Sequence, residues 1–246
     1  MALLHCEIHS EILQKQTQFS AILPQTGDEL PVLYLLHGLG DDSSSWTRFT
    51  QLESWANEYG IAVMMPNAER SFYADMAFGG NYYTYIQKEF PQICESMFRI
   101  SNQREKRFLA GLSMGGYGAM KLALREPNRY RAVGSFSGAF DIELSRTQVS
   151  SQEWQAIFGK RFVTETENDI DSLLNQCEDF SALPIFHLSC GSKDAFAYSH
   201  KLLYKNMLKW KLMPEFFLDE GYAHTWPYWN ICIERFLRYL REESLI

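Results

Sequence analysis

The chain has 246 residues, of which 46% are hydrophobic, 22% charged and 15% aromatic. That length and balance fit one large α/β domain able to bury a substantial core without disulfide or metal staples. The net charge of −7 excludes the basic face that a nucleic-acid backbone requires, and no run approaches the ~18 apolar residues of a membrane span.

The opening "MALLHCEIHSEILQ" has no basic leader and too short an apolar run for a secretory signal, so a cytoplasmic protein is expected. The five cysteines are Cys6, Cys94, Cys177, Cys190 and Cys232. They are odd in number, widely spaced and without a Cys-x-x-Cys pair, which suggests neither a disulfide framework nor a zinc site. A symmetric homo-oligomer is compatible with this acidic surface.

In chain order, "LLHCEIHS" and "TQFSAILP" read as an antiparallel strand pair at one edge of a sheet. The runs "PVLYLLHG", "GIAVMMPN", "KRFLAGLS", "RAVGSFSG", "PIFHLSCG" and "PEFFLDEG" follow, each bounded by turn residues and apolar at both parities. That pattern fits strands buried on both faces of a parallel sheet. Helical stretches alternate with them at 46–59, 82–98 (bent at Pro91), 114–125 and 198–212, predicting a doubly wound α/β fold with helices on both faces. Residues 141–183 contain no clear buried strand and read as a small helical cap near the mouth of a site, within a single domain spanning 1–246.

The chemistry points to "GLSMG". A bare Gly-x-Ser-x-Gly is a weak signal, but here an apolar strand precedes it and a helix follows, the setting of a nucleophile elbow. Gly111 and Gly115 keep side chains out of a tight turn at Ser113. Gly116, Gly118 and Ala119 let the helix approach the sheet. A phosphate loop is excluded, because neither Gly-Lys-Ser/Thr nor Gly-x-Gly-x-x-Gly is present at this turn.

A serine nucleophile needs a base. Among the six histidines, His5 and His9 precede the core, His37 ends a strand, His187 lies within an apolar run as a satisfied core residue, and His200 reads as exposed. His224 follows the last strand, where α/β-hydrolases place the base. For the acid, Asp169, Asp171 and Asp179 read as solvated, Asp141 and Asp219 are rivals, and Asp194 in "CGSKDAF" is favoured by its loop after the next-to-last strand. The oxyanion hole calls for two N–H donors, assigned to Met114 and to Leu39 in "LLHGLG", with His37 shaping that loop. Trp46, Trp154, Phe158, Phe196, Trp226 and Trp229 are candidate pocket walls, each equally explicable as core.

Together "YLLHG", "GLSMGGYGAMKLAL", "SFSGAF", "CGSKD" and "AHTWPYW" resemble the esterase D family of α/β-hydrolases over nearly the whole chain, and most closely its bacterial tributyrin-esterase branch. The resemblance implies a nucleophile, acid and base at Ser113, Asp194 and His224, with oxyanion donors at Leu39 and Met114. It implies a cofactor-free and metal-free serine carboxylesterase acting on small ester substrates. Thioester hydrolases of the S-formylglutathione type and acetylxylan and feruloyl esterases belong to the same family. Two departures stand out. The position after the base is Thr225, where the family is often acidic, and the 141–183 segment matches only at "WQAIFG". Aromatic crowding would favour acetyl to butyryl chains. A silent hydrolase scaffold used for binding is the non-enzyme alternative.

Overall fold

The computed structural model describes residues 1–25, 27, 29–160, 163–164 and 166–246. Its strands are β1 (Ala2–Ser10), β2 (Lys15–Leu23), β3 (Val32–Leu36), β4 (Ala62–Pro66), β5 (Arg107–Leu112), β6 (Ala132–Phe136), β7 (Ile185–Gly191) and β8 (Glu215–Asp219). All eight lie in one sheet in the order β1-β2-β4-β3-β5-β6-β7-β8. The strands β3 to β8 run parallel. The hairpin β1–β2 joins antiparallel to β4, with Ala2 opposite Leu23 and Phe19 opposite Pro66. This is the α/β-hydrolase architecture, with the added edge pair expected from the sequence.

The central strands are apolar at both parities because each face carries its own core. Val32, Tyr34 and Leu36 of β3 face one cluster, and Leu33 and Leu35 face the other. The first cluster lies under α3 (Tyr82–Thr84), α4 (Phe90–Met97), α5 (Met114–Arg125), α8 (Ile170–Asn175) and α9 (Ala197–Lys209). The second lies under α1 (Ser45–Phe49), α2 (Leu52–Tyr59) and α10 (Trp226–Glu242).

Two expected helices are subdivided. The stretch 46–59 breaks between α1 and α2, where the Thr50 hydroxyl donates to the Trp46 carbonyl at 2.5 Å and accepts from Leu52 N–H at 3.2 Å. The stretch 82–98 passes through a π-type turn, Tyr85–Glu89, closed by Phe90 N–H bonding the Tyr85 carbonyl. Pro91, which has no N–H to continue the ladder, sits just beyond that wide turn. Within 141–183 the described residues form α6 (Ile142–Arg146), α7 (Ser151–Phe158), α8 and a short 3-10 turn, with no strand. Residues 161, 162 and 165 of that segment lie outside the described residues. Its helix α7 is tied to the loop after β4. Ala77 and Phe78 N–H groups donate to the Ile157 and Ala156 carbonyls at 2.9 and 2.8 Å, and Arg70 pairs with Glu153.

Candidate active site

Ser113 stands where β5 turns into α5, with φ 52° and ψ −117°. That backbone conformation is costly for a residue with a side chain and persists only where neighbours impose it. Here Ser113 N–H donates to the Phe136 carbonyl at 2.9 Å, and its own carbonyl accepts from Tyr117 and Ala139 at 3.0 and 3.1 Å. Gly115 is required by contact. A Cβ there would stand 2.5 Å from the Leu36 carbonyl oxygen and 2.6 Å from that of His37. The glycine therefore lets the end of β3 lie directly on the first turn of α5.

The serine meets a hydrogen-bonded line. Ser113 Oγ is 2.9 Å from His224 Nε2, and His224 Nδ1 is 2.8 Å from Asp194 Oδ2. Because the carboxylate accepts at Nδ1, that nitrogen carries the proton, and Nε2 is left as the acceptor for the serine hydroxyl. The Asp194 side chain is completely buried while that of His224 is 32% exposed, so the carboxylate is sealed from solvent and the imidazole is open to it. Burial pushes the Asp194 carboxyl up. The His224 imidazole and the Phe196 N–H, which donates to Oδ1 at 2.9 Å, outweigh that and hold it below the usual carboxylate range. Rings close the imidazole on two sides, Phe196 at 5.6 Å between centroids and Trp229 edge-on at 4.9 Å.

The rival acids have other work. Asp141 caps α6 by accepting from Leu144 N–H at 2.9 Å. Asp219 accepts from both Arg235 nitrogens at 2.8 and 3.1 Å and from Tyr228 Oη at 2.7 Å. Asp171 accepts from Asn206, Asp179 from Ser181, and Asp169 from Ser172. Of the other histidines, His5 bonds Ser20 and His9 pairs with Glu11. His37 is buried in the loop after β3, where Nε2 accepts from Ala68 N–H and Nδ1 donates to the Gly38 carbonyl.

Two histidine expectations are corrected. His200 is fully buried rather than exposed. Its Nε2 accepts from Gly138 N–H at 3.1 Å and its Nδ1 donates to the Phe196 carbonyl at 3.0 Å, joining the loop after β6 to the acid loop. A polar residue early in a helix gave no sign of this, because the Gly138 N–H that meets its ring comes from a segment distant in sequence. His187 does lie in the core, but neither ring nitrogen has a hydrogen-bond partner among the described residues.

The six aromatic candidates separate by position. Phe196 and Trp229 touch His224, and Trp226 adjoins Trp229 at 5.3 Å with the exposed Phe49 ring against it at 4.9 Å. Trp46 is a core residue instead, fully buried with Nε1 donating to the Leu36 carbonyl at 3.1 Å. Trp154 and Phe158 of α7 pack on Phe72, at 6.1 and 5.8 Å. Burial raises the Cys190 thiol far above its ordinary range, so it packs as an apolar residue. Among the described residues no cluster of three His, Cys, Asp or Glu could hold a metal ion, and no helix is long and apolar enough to cross a membrane.

The chain is 26% identical to an acetyl esterase of Caldicellulosiruptor saccharolyticus, covering 99% of this chain and 100% of that one. In structure it is similar to the fluorophosphonate-binding serine hydrolase F of Staphylococcus aureus (TM-score 0.91, 29% identity, 97% and 98% of the two chains). It is also similar to an S-formylglutathione hydrolase of the same organism (TM-score 0.88, 29% identity, 97% and 98% coverage). Residues 10–232 match the sequence model of the family described as "Putative esterase", and the chain belongs to that esterase family.

Proposed function

We propose that the protein is a serine carboxylesterase that hydrolyses short-chain acyl esters, acetyl to butyryl, with Ser113, His224 and Asp194 as its triad. The observation that carries this reading is the continuous line from Ser113 Oγ through the two His224 nitrogens to Asp194, with spacings of 2.9 and 2.8 Å.

In this mechanism Ser113 Oγ attacks the ester carbonyl carbon while its proton passes to His224 Nε2. Asp194 stabilises the resulting imidazolium. The carbonyl oxygen takes up the negative charge between the N–H groups of Leu39 and Met114. Met114 is the first residue of α5, so its N–H has no acceptor within the helix and is free for this task. The tetrahedral species collapses as the bond to the alcohol oxygen breaks and Nε2 returns its proton to that oxygen. Water then attacks the acyl-serine with His224 as base, releasing the carboxylic acid and restoring the hydroxyl.

The compact acyl preference is supported by Phe196 and Trp229, which crowd the imidazole from two sides. An acyl series of 4-nitrophenyl esters tests it. Rates should peak at or below four carbons, and equal or faster turnover of the dodecanoyl ester would contradict it. The likeness to an S-formylglutathione hydrolase over 97% of the chain supports a second reading, a thioesterase. Parallel turnover of S-formylglutathione and 4-nitrophenyl acetate separates the two.

A further inference from the structure

The loop that would hold the oxyanion is fastened from behind by groups that take no part in the bond changes. Phe72 and Tyr73 both have left-handed backbone, with φ 50° at each, a conformation uncommon for bulky residues unless the surroundings impose it. Two contacts do so. Lys121 Nζ, fully buried on α5, donates to the Phe72 carbonyl at 2.9 Å and to Asn168 Oδ1 at 3.1 Å. The Tyr73 ring lies so close to Gly118 that a Cβ at that glycine would strike it. Held this way, Tyr73 Oη donates to the His37 carbonyl at 2.9 Å.

His37 in turn fixes the next peptide. Ala68 N–H donates to His37 Nε2 at 2.9 Å, so the ring proton sits on Nδ1 and is donated to the Gly38 carbonyl at 2.8 Å. Asp41 N–H donates to the same carbonyl at 3.2 Å. Across a trans peptide, C=O and N–H point in opposite directions, and no cis peptide occurs among the described residues. Drawing the Gly38 carbonyl back therefore turns the Leu39 N–H outward. The loop runs beside the nucleophile, since a Cβ on Gly38 would lie 3.5 Å from Ser113 Cβ. Two successive carbonyls of this loop are clamped, the first by Tyr73 and the second by His37.

We infer that Tyr73 is a positioning residue for the oxyanion loop. Its hydroxyl holds the His37 carbonyl so that the Leu39 N–H is already aimed when charge develops, and Lys121 holds the strained Phe72–Tyr73 pair that presents it. The inference rests on the reading of Leu39 as an oxyanion donor.

Tyr73→Phe keeps the ring on Gly118 and removes only the donor. Removing a whole oxyanion donor costs ~100- to 1,000-fold in turnover; misaiming one should cost about tenfold. The expected result on 4-nitrophenyl butyrate is therefore a kcat about tenfold lower with KM unchanged, the signature of an interaction made only in the transition state. Binding of a trifluoromethyl ketone, which forms a hemiketal oxyanion on the serine, should weaken by the same factor. Lys121→Met should shift kcat and ketone binding in the same direction, with a lower thermal midpoint. If that variant does not fold, Tyr73→Phe decides alone. Wild-type kcat and ketone affinity in Tyr73→Phe would overturn the inference, as would kcat, KM and thermal midpoint all moving while ketone affinity stays. A wild-type enzyme that neither turns over ester nor binds the ketone would instead overturn the esterase reading on which the inference stands.

Discussion

Asp219 and Arg235 form a two-pronged ion pair, with nitrogen–oxygen distances of 2.8 and 3.1 Å, at the end of β8 and on the inner face of α10. Tyr228 Oη donates to the same carboxylate at 2.7 Å. This carboxylate lies close to His224 in sequence yet is occupied in fixing the helix that follows it. The nearby Asp194 is the one whose oxygen reaches the imidazole.

The two aspartates should therefore fail in different ways. Asp194→Asn should reduce kcat by roughly 10⁴-fold with little change in folding, because the wrong tautomer of His224 is then favoured. Asp219→Asn should leave kcat within about tenfold of wild type but lower stability by about 2 kcal/mol, since it strands Arg235 without its partner. Urea unfolding and initial rates on both variants check this. A larger rate loss in Asp219→Asn would reverse the assignment.

The buried histidines should weaken the fold as the pH falls. Burial holds His187 down at about 3 and His200 at about 4, and it lowers His37 as well. In the unfolded chain each takes up a proton near pH 6.5. Between about pH 6.5 and pH 4 the unfolded state thus binds more protons, and stability falls as the pH drops through that window. His187→Phe, placed among Phe217, Phe236 and Tyr239, should remove one proton from this linkage. The slope of stability against pH should become shallower by about 1.4 kcal/mol per unit between pH 6 and 4. Urea midpoints from pH 4.5 to 7.5 measure it, and an unchanged slope would show that His187 is already charged in the fold.

Gly115→Ala tests the close approach of β3 to α5. The added Cβ would meet two backbone oxygens, those of Leu36 and His37, at 2.5 and 2.6 Å. Neither can move without shifting the loop that carries Leu39. Turnover should fall by more than tenfold and the thermal midpoint should drop. A variant with wild-type rates would mean that the elbow has more room than its contacts allow.

The sheet, its edge hairpin and the elbow were legible because each rests on local pattern. Double-parity apolar runs, the glycines flanking Ser113 and the order of Ser113, Asp194 and His224 all lie in the sequence itself. What escaped was set by contacts between distant segments. His200 reads as a surface residue until the Gly138 N–H is seen to meet its ring. Trp46 reads equally as a pocket wall or as core until its indole is found buried and bonded to β3. The burial of Lys121 is set the same way, since α5 is buried nearly all round and its Nζ reaches the Phe72 carbonyl and Asn168. The break between α1 and α2 depends on where one threonine hydroxyl points, which periodicity does not encode.

The most direct test is the initial rate on 4-nitrophenyl butyrate for wild type and Ser113→Ala, purified in parallel with folding checked by circular dichroism. A nucleophilic Ser113 predicts turnover in the wild type and a loss of at least ~10⁴-fold in the variant. Equal rates in two folded proteins would contradict it and reduce Ser113 to a residue that merely fits a tight turn.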